Sequence, residues 1–167
     1  MVFMVKKVGE VVLVCDALRD PRDLAQMVHL SLATNTKLFL TGSSLFPLHP
    51  KVIGILDSWI PGFKQKPNLK KVVVFEGLEE CVAFLRKKGF EVLGTSPSVG
   101  KNFFSTNLGK GKTAIVFGTE TSGLSDAKMK LMGGMLRIPM QGGTRFYTLS
   151  AIAPVFAYEA LRQKKLV

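Results

Sequence analysis

Apolar residues in this chain fall into short unbroken runs separated by longer stretches that alternate between polar and apolar positions. Val11 to Cys15, Lys37 to Leu40, Val72 to Phe75, Phe90 to Leu93 and Ala114 to Phe117 are such runs. Their length and their valine content predict strands buried on both faces, as in a parallel sheet. Met135 to Ile138 predicts one more strand, ended by Pro139. Between the strands, Leu24, Met27, Val28 and Leu32 recur at helical spacing, which predicts a helix from Pro21 to about Ala33. Lys51 to Trp59 predicts a second helix. Leu78, Cys81, Val82 and Leu85 predict a third, closed by Arg86-Lys87-Lys88 and stopped at Gly89. Residues 98–112 read as irregular or briefly helical. A short helix follows Ser125, and Leu149, Ile152, Ala153, Phe156 and Ala160 give a last helix its apolar face. A start between Leu149 and Ala151 puts Pro154 in the first turn, where its missing N–H costs nothing.

Strand and helix alternate to the end, which predicts an α/β fold with a mostly parallel sheet and helices on both faces. With 167 residues, no repeat and no long linker, the expectation is a single domain over residues 1–167. Two loops attract attention. One leaves the run ending at Phe117, through Gly118 and Glu120. The other follows Ile138 through Gly142-Gly143. Loops at the carboxyl ends of strands are where open α/β sheets form their ligand crevice.

Charge narrows the partner. Lys plus Arg number 23 against 12 Asp plus Glu, a formal +11, which favours a polyanion such as nucleic acid over an anionic membrane. The cations include Lys64, Lys66, Lys70 and Lys71 in a connector, Arg86, Lys87 and Lys88 at a helix end, and Lys101, Lys110 and Lys112 further on. Cys15 and Cys81 lie among apolar residues and read as buried thiols in a reducing compartment. Two Cys and two His at scattered positions make no metal site. The N-terminus lacks the form of a secretory signal and no run approaches a membrane span, so the expected location is the cytoplasm.

Familiar nucleotide loops do not fit. Gly118-x-Glu120-x-x-Gly123 lacks the three-glycine dinucleotide spacing, and its carboxylate would repel a pyrophosphate. Gly109-Lys-Gly-Lys-Thr113 lacks the first glycine of a phosphate loop and precedes a strand. FGTETSGLS, from Phe117 to Ser125, instead resembles the second motif of the SpoU/TrmH family of the SPOUT superfamily. RIPM and LSAIAPVFAYEALRQ resemble the third motif of that family, and LRDPRDLAQMVHLSLATN resembles its first. The resemblance covers almost the whole chain. It implies an S-adenosylmethionine-dependent RNA methyltransferase, a homodimer, and a C-terminal deep trefoil knot; with no separate RNA-binding domain expected in residues 1–167, RNA recognition would fall to the core and its dimer partner. It also implies that backbone groups of three loops hold the cofactor: Thr95, Gly118, and Ile138 with Met140 and Leu149. On this reading Gly118 is a glycine so that backbone can approach the ligand.

The chain departs from the family's pattern at Asp23, Ala25 and His29, where Asn, Gly and Arg are usual. A ribose hydroxyl is a poor acid, so its methylation needs a base or a cation beside the forming alkoxide. Two readings stand for His29: a base near neutral pH, or a helix residue without chemistry. Arg145, in a loop longer than the family's, either supplies the positive charge, contacts a phosphate or is solvated. Ser150, in Thr148-Leu149-Ser150 where Ser-Leu-Asn is usual, is placed beside the cofactor. Glu120 either orients backbone or arginine partners at the site or caps the next helix. The expected activity is 2′-O-ribose methylation of tRNA or rRNA. The alternatives are a silent relative that binds RNA and a base-methylating enzyme.

Overall fold

The structure, a computed structural model, describes residues 10–145 and 147–167; the reading of the extreme N-terminus falls on residues 1–9, outside the described residues. Seven strands form one sheet: β1 (Val11–Asp16), β2 (Lys37–Thr41), β3 (Val72–Phe75), β4 (Phe90–Thr95), β5 (Lys101–Asn102), β6 (Lys112–Phe117) and β7 (Gly134–Arg137). Their order is β3-β2-β1-β6-β4-β7-β5, and every pairing is parallel. The helices are α1 (Pro21–Thr34), α2 (Pro50–Trp59), α3 (Leu78–Lys87), α4 (Asp126–Met129) and α5 (Leu149–Gln163).

The valine-rich runs feed two cores at once. Val11, Leu13 and Cys15 of β1 face a core with α1, α2 and α5. Val12 and Val14 face the other, with α3 and the segment around α4. Strict alternation of side chains across a strand makes this unavoidable once both faces are covered. Cys15 and Cys81 are buried free thiols, and burial pushes Cys81 up to about 12. Local chemistry sets the helix starts. The Asp20 carboxylate caps α1 by accepting from the Arg22 and Asp23 amides at 2.8 and 3.0 Å, with Pro21 opening the first turn. Glu79 and Glu80 in the first turn of α3, and Arg86 and Lys87 in the last, follow the sense of the helix dipole.

Three local expectations change. Val72 to Phe75 forms a strand, but it pairs only with β2 and lies at the sheet edge, so Val73 and Val74 are 39% and 52% exposed. Four apolar residues in a row do not distinguish an edge strand from a central one. Residues 98–112 hold the two-residue strand β5, too short to leave a pattern. Pro154 sits beyond the first turn of α5, so the Ser150 carbonyl meets no amide at the following i+4 position.

After β7 the chain crosses back, and α5 packs on α1 and β1. Its far end is fastened to the loop before β6. Gln163 accepts from the Leu108 amide at 2.6 Å and donates to the Thr106 carbonyl at 3.1 Å. The buried Lys164 ammonium donates to the carbonyls of Leu108 and Gly111 at 2.6 and 2.9 Å. Desolvation lowers its pKa. Lys164→Met retains the apolar stem and leaves those carbonyls without their donor. It should destabilise the fold by roughly 1–3 kcal/mol, read as a lower urea midpoint with an unchanged m-value.

Candidate active site

A cavity of about 510 Å³ opens at the carboxyl ends of β4, β6 and β7. The sheet order explains its place. The chain builds outward from β1 through β2 to β3, then starts again on the other side with β4, and β6 enters between β1 and β4. Loops part at such a reversal and leave a crevice. Its walls are Thr95 and Ser96 after β4, Gly118 to Gly123 after β6, and Ile138 and Met140 after β7. Tyr147, Leu149, Ile152 and Phe156 close it from the α5 side. The five residues expected to hold a cofactor, Thr95, Gly118, Ile138, Met140 and Leu149, therefore share one cavity. Thr95 turns its hydroxyl into the sheet, donating to the Val116 carbonyl at 3.1 Å.

The loop after β6 is a tight closed turn. Thr119 and Gly123 exchange amide–carbonyl bonds at 3.0 and 3.2 Å, and Gly123 takes a φ of 67°. The turn itself gives a further reason for glycine at 118. A Cβ there would overlap the backbone of Gly123 and Leu124. The turn's own return path requires the absence of a side chain, whatever ligand lies beside it.

Glu120 reaches across the site. Its Oε1 accepts from the Arg19 and Asp20 amides at 2.7 and 2.8 Å. It thus fastens the β6 loop to the entrance of α1, while the following helix is capped by Ser125, whose hydroxyl accepts from the Lys128 amide. Below the loop, Lys128 donates to Asp16 Oδ2 at 2.5 Å, and the Thr41 hydroxyl donates to Asp16 Oδ1 at 2.8 Å. Asp16 is only 1% exposed. Breaking such a pair on one side is costly because it strands a buried charge. Neither residue was singled out from sequence. The one available signal was a carboxylate ending the apolar run VVLVCD.

The remaining candidates lie outside that cavity wall. His29 is exposed, its ring 5.7 Å from that of Trp59. With Ser150 and Pro154 it lines a separate groove of about 160 Å³ between α1 and α5. Arg145 is exposed in the loop ahead of α5. Asp23 is half-buried in α1, with Ser150 and Glu120 both near enough to influence it. Burial raises its pKa first, a hydrogen bond from Ser150 pulls it back in part, and Asp20 and Glu120 raise it further. Ile152 and Phe156 read from sequence as ordinary members of an apolar helix face. Nothing in their spacing marks their share in the cavity.

Comparison with known proteins adds to this geometry. Residues 10–158 match the model of the SpoU rRNA Methylase family. The chain is 34% identical over 92 residues to the tRNA (guanosine(18)-2′-O)-methyltransferase of Thermus thermophilus, which covers 54% of this chain and 47% of that protein. It thus spans about half the length of that relative. It is 32% identical over 148 residues to the "Putative tRNA (cytidine(34)-2′-O)-methyltransferase" of Bacillus subtilis, covering 86% and 87%. A "putative RNA methyltransferase" from Bacillus anthracis superposes with a TM-score of 0.75 at 26% identity over 93% of this chain and 95% of that one. The methyltransferase AviRb from Streptomyces viridochromogenes, solved with AdoMet, shares the fold, with a TM-score of 0.79 at 20% identity over 95% and 59%.

The Asp23 environment has a measurable consequence for stability. A carboxyl whose pKa is raised on folding favours the native state most at low pH, and that contribution is lost as pH rises through the raised value. Asp23→Asn should therefore raise the Tm at pH 7, and raise it less at pH 4. Thermal scans at the two pH values check this; an equal or opposite change would show that the carboxylate is not strained in the native state.

Proposed function

The chain belongs to the SpoU rRNA Methylase family, and we propose that it transfers a methyl group from S-adenosylmethionine to a ribose 2′-hydroxyl of tRNA or rRNA. One observation carries the reading: loops from three neighbouring strand ends converge on one cavity of about 510 Å³. Pockets of this order suit a ligand the size of a nucleoside with an amino-acid tail. Its residues fit that ligand in kind. Ile138, Leu149, Ile152 and Phe156 offer apolar surface for a base, while Thr119, Glu120 and Ser122 offer polar atoms. Thr95, Gly118, Ile138, Met140 and Leu149 would hold it, largely through backbone.

When bound, the cofactor supplies an electrophilic methyl group. The protein's own part is placement and charge. Glu120 keeps the β6 loop and the start of α1 together through the Arg19 and Asp20 amides. Ser150, in the first turn of α5, lines the groove that contains His29, next in sequence to Leu149 of the cavity wall. In this reading His29 accepts the hydroxyl proton and Arg145 stabilises the forming alkoxide, both from a substrate lying across the mouth. The exposure of His29 and Arg145 outside the cavity wall favours a second reading, a silent relative that binds RNA.

Finer features belong to the same proposal. The return of α5 onto α1 and β1 after β7 supports a C-terminal trefoil knot. Val155 and Tyr158, exposed on α5, support a homodimer joined along that helix. A single domain over residues 1–167, acting in the cytoplasm, completes it. Among the described residues no helix is long and apolar enough to cross a membrane, and no group of His, Cys, Asp or Glu could hold a metal ion.

Labelled S-adenosylmethionine incubated with unmodified total RNA, followed by nucleoside analysis, tests the proposal. Label in 2′-O-methylnucleosides is expected; label in bases would make it a base methyltransferase. No label, with RNA still bound, would establish the silent relative. His29→Ala and Arg145→Ala should each slow transfer by about 10²-fold, the usual worth of an acid–base or charge-stabilising group. Unchanged rates would remove those roles.

A further inference from the structure

The charges of this chain are sorted along the strand axis, and the positive end is the one away from the cavity. In a parallel sheet, every helix returns the chain to the strands' amino-terminal ends. Lys37 and Lys112 open β2 and β6 there. The connector from α2, with Lys64, Lys66, Lys70 and Lys71, leads into β3 at the same end. Arg86 and Lys87 finish α3, and Lys88 precedes β4.

The carboxylates at this end are largely engaged. Glu10 is shared by Lys37 and Lys112 at 2.8 and 3.6 Å. Asp57 accepts from the Lys64 amide at 2.8 Å, and Glu159 is held by Arg162 at 2.7 Å. The cavity end is different. Asp20, Asp23 and Glu120 gather there, with Glu120 accepting from the Asp20 amide and Asp20 from the Asp23 amide, and Lys128 is committed to Asp16. Exposed Arg19, Arg22, Lys51 and Arg145 stand among these carboxylates, so the cavity end carries mixed charge whereas the opposite pole is predominantly positive.

We propose that the amino-terminal pole of the sheet, centred on the 64–71 connector and the end of α3, is a second docking face that binds the phosphate backbone of the substrate RNA remote from the reacting nucleotide. This rests on the RNA-substrate reading above. Lys112 and Phe117 mark the two ends of β6, about 17 Å apart at about 3.3 Å per residue. At about 3.4 Å between stacked nucleotides of one strand, that is roughly five nucleotides. An RNA engaged at both ends must therefore be a folded or extended molecule that wraps the side of the sheet. Phosphate contacts of this kind position an RNA without reading its sequence.

The test uses the full chain carrying Lys64→Glu, Lys66→Glu, Lys70→Glu and Lys87→Glu, all at exposed positions, with a Lys→Gln set at the same sites as a milder companion. Binding to unmodified bulk tRNA is measured over a salt series, and binding of S-adenosylmethionine by calorimetry. The expected result is an RNA affinity at least about tenfold weaker at about 100 mM salt, with a salt dependence shallower by about one unit per lost contact. S-adenosylmethionine affinity should be unchanged, which also shows that the cavity is intact. Unchanged RNA affinity and salt slope in both sets overturn the docking face. So does loss of binding to phosphatidylserine vesicles with RNA binding retained, which would assign the pole to a membrane. A wild-type chain that binds no S-adenosylmethionine overturns methyl transfer, while the RNA measurements still decide the docking face.

Discussion

The Glu120 carboxylate accepts two backbone amides that lie about a hundred residues earlier in the chain. That contact decides where the β6 loop sits relative to α1. Charge-assisted bonds to backbone amides are among the stronger neutralising contacts a carboxylate can make. They also cap a stretch of chain whose amides would otherwise face the site unpaired. The Asp16–Lys128 pair secures the same loop from below, through the helix that follows it. Between these two fastenings the turn has little freedom, and Gly118 and Gly123 are what allow it to close. The cavity wall is therefore rigid on the β6 side. On the α5 side it is built from a longer, more exposed loop.

Much of the architecture was legible because a parallel sheet writes its strands as unbroken apolar runs. Six of the seven strands and the first three helices fall where the pattern puts them, within a residue or two at their ends. What was not legible follows from what a pattern omits. Val73 and Val74 look like core residues, yet their exposure depends on which strands pair with β3. β5 is two residues long and leaves no periodicity. Pro154 could be located relative to the helix start only once that start was known.

At the site, the expected cavity residues came from a resemblance and not from spacing: Gly118 from the second motif, Ile138, Met140 and Leu149 from the third, and Thr95 from the loop after β4. Side-chain chemistry was less readable. Glu120 could be assigned a partner class, but the Arg19 and Asp20 amides are a property of two loops meeting. Asp23 was visible as a departure from the motif. Its raised pKa was not, since it depends first on burial, which Ser150 offsets in part, and then on Asp20 nearby and Glu120 from a distant part of the chain. Ser150, expected beside the cofactor, shares a groove with His29 instead, because α1 and α5 leave a recess of their own.

The placement of β6 between β1 and β4 also governs how the chain must assemble. β1 pairs with β2 early, since only α1 separates them, but its other edge waits for residues 112–117. At a synthesis rate of about 5–20 residues per second, that edge stays open for roughly 5–20 s. Until β6 slots in, a valine-rich strand presents unpaired amides and carbonyls to whatever else is nearby. Folding of this protein is consequently slowed by topology, because the middle of the sheet closes only when a strand from far along the chain arrives.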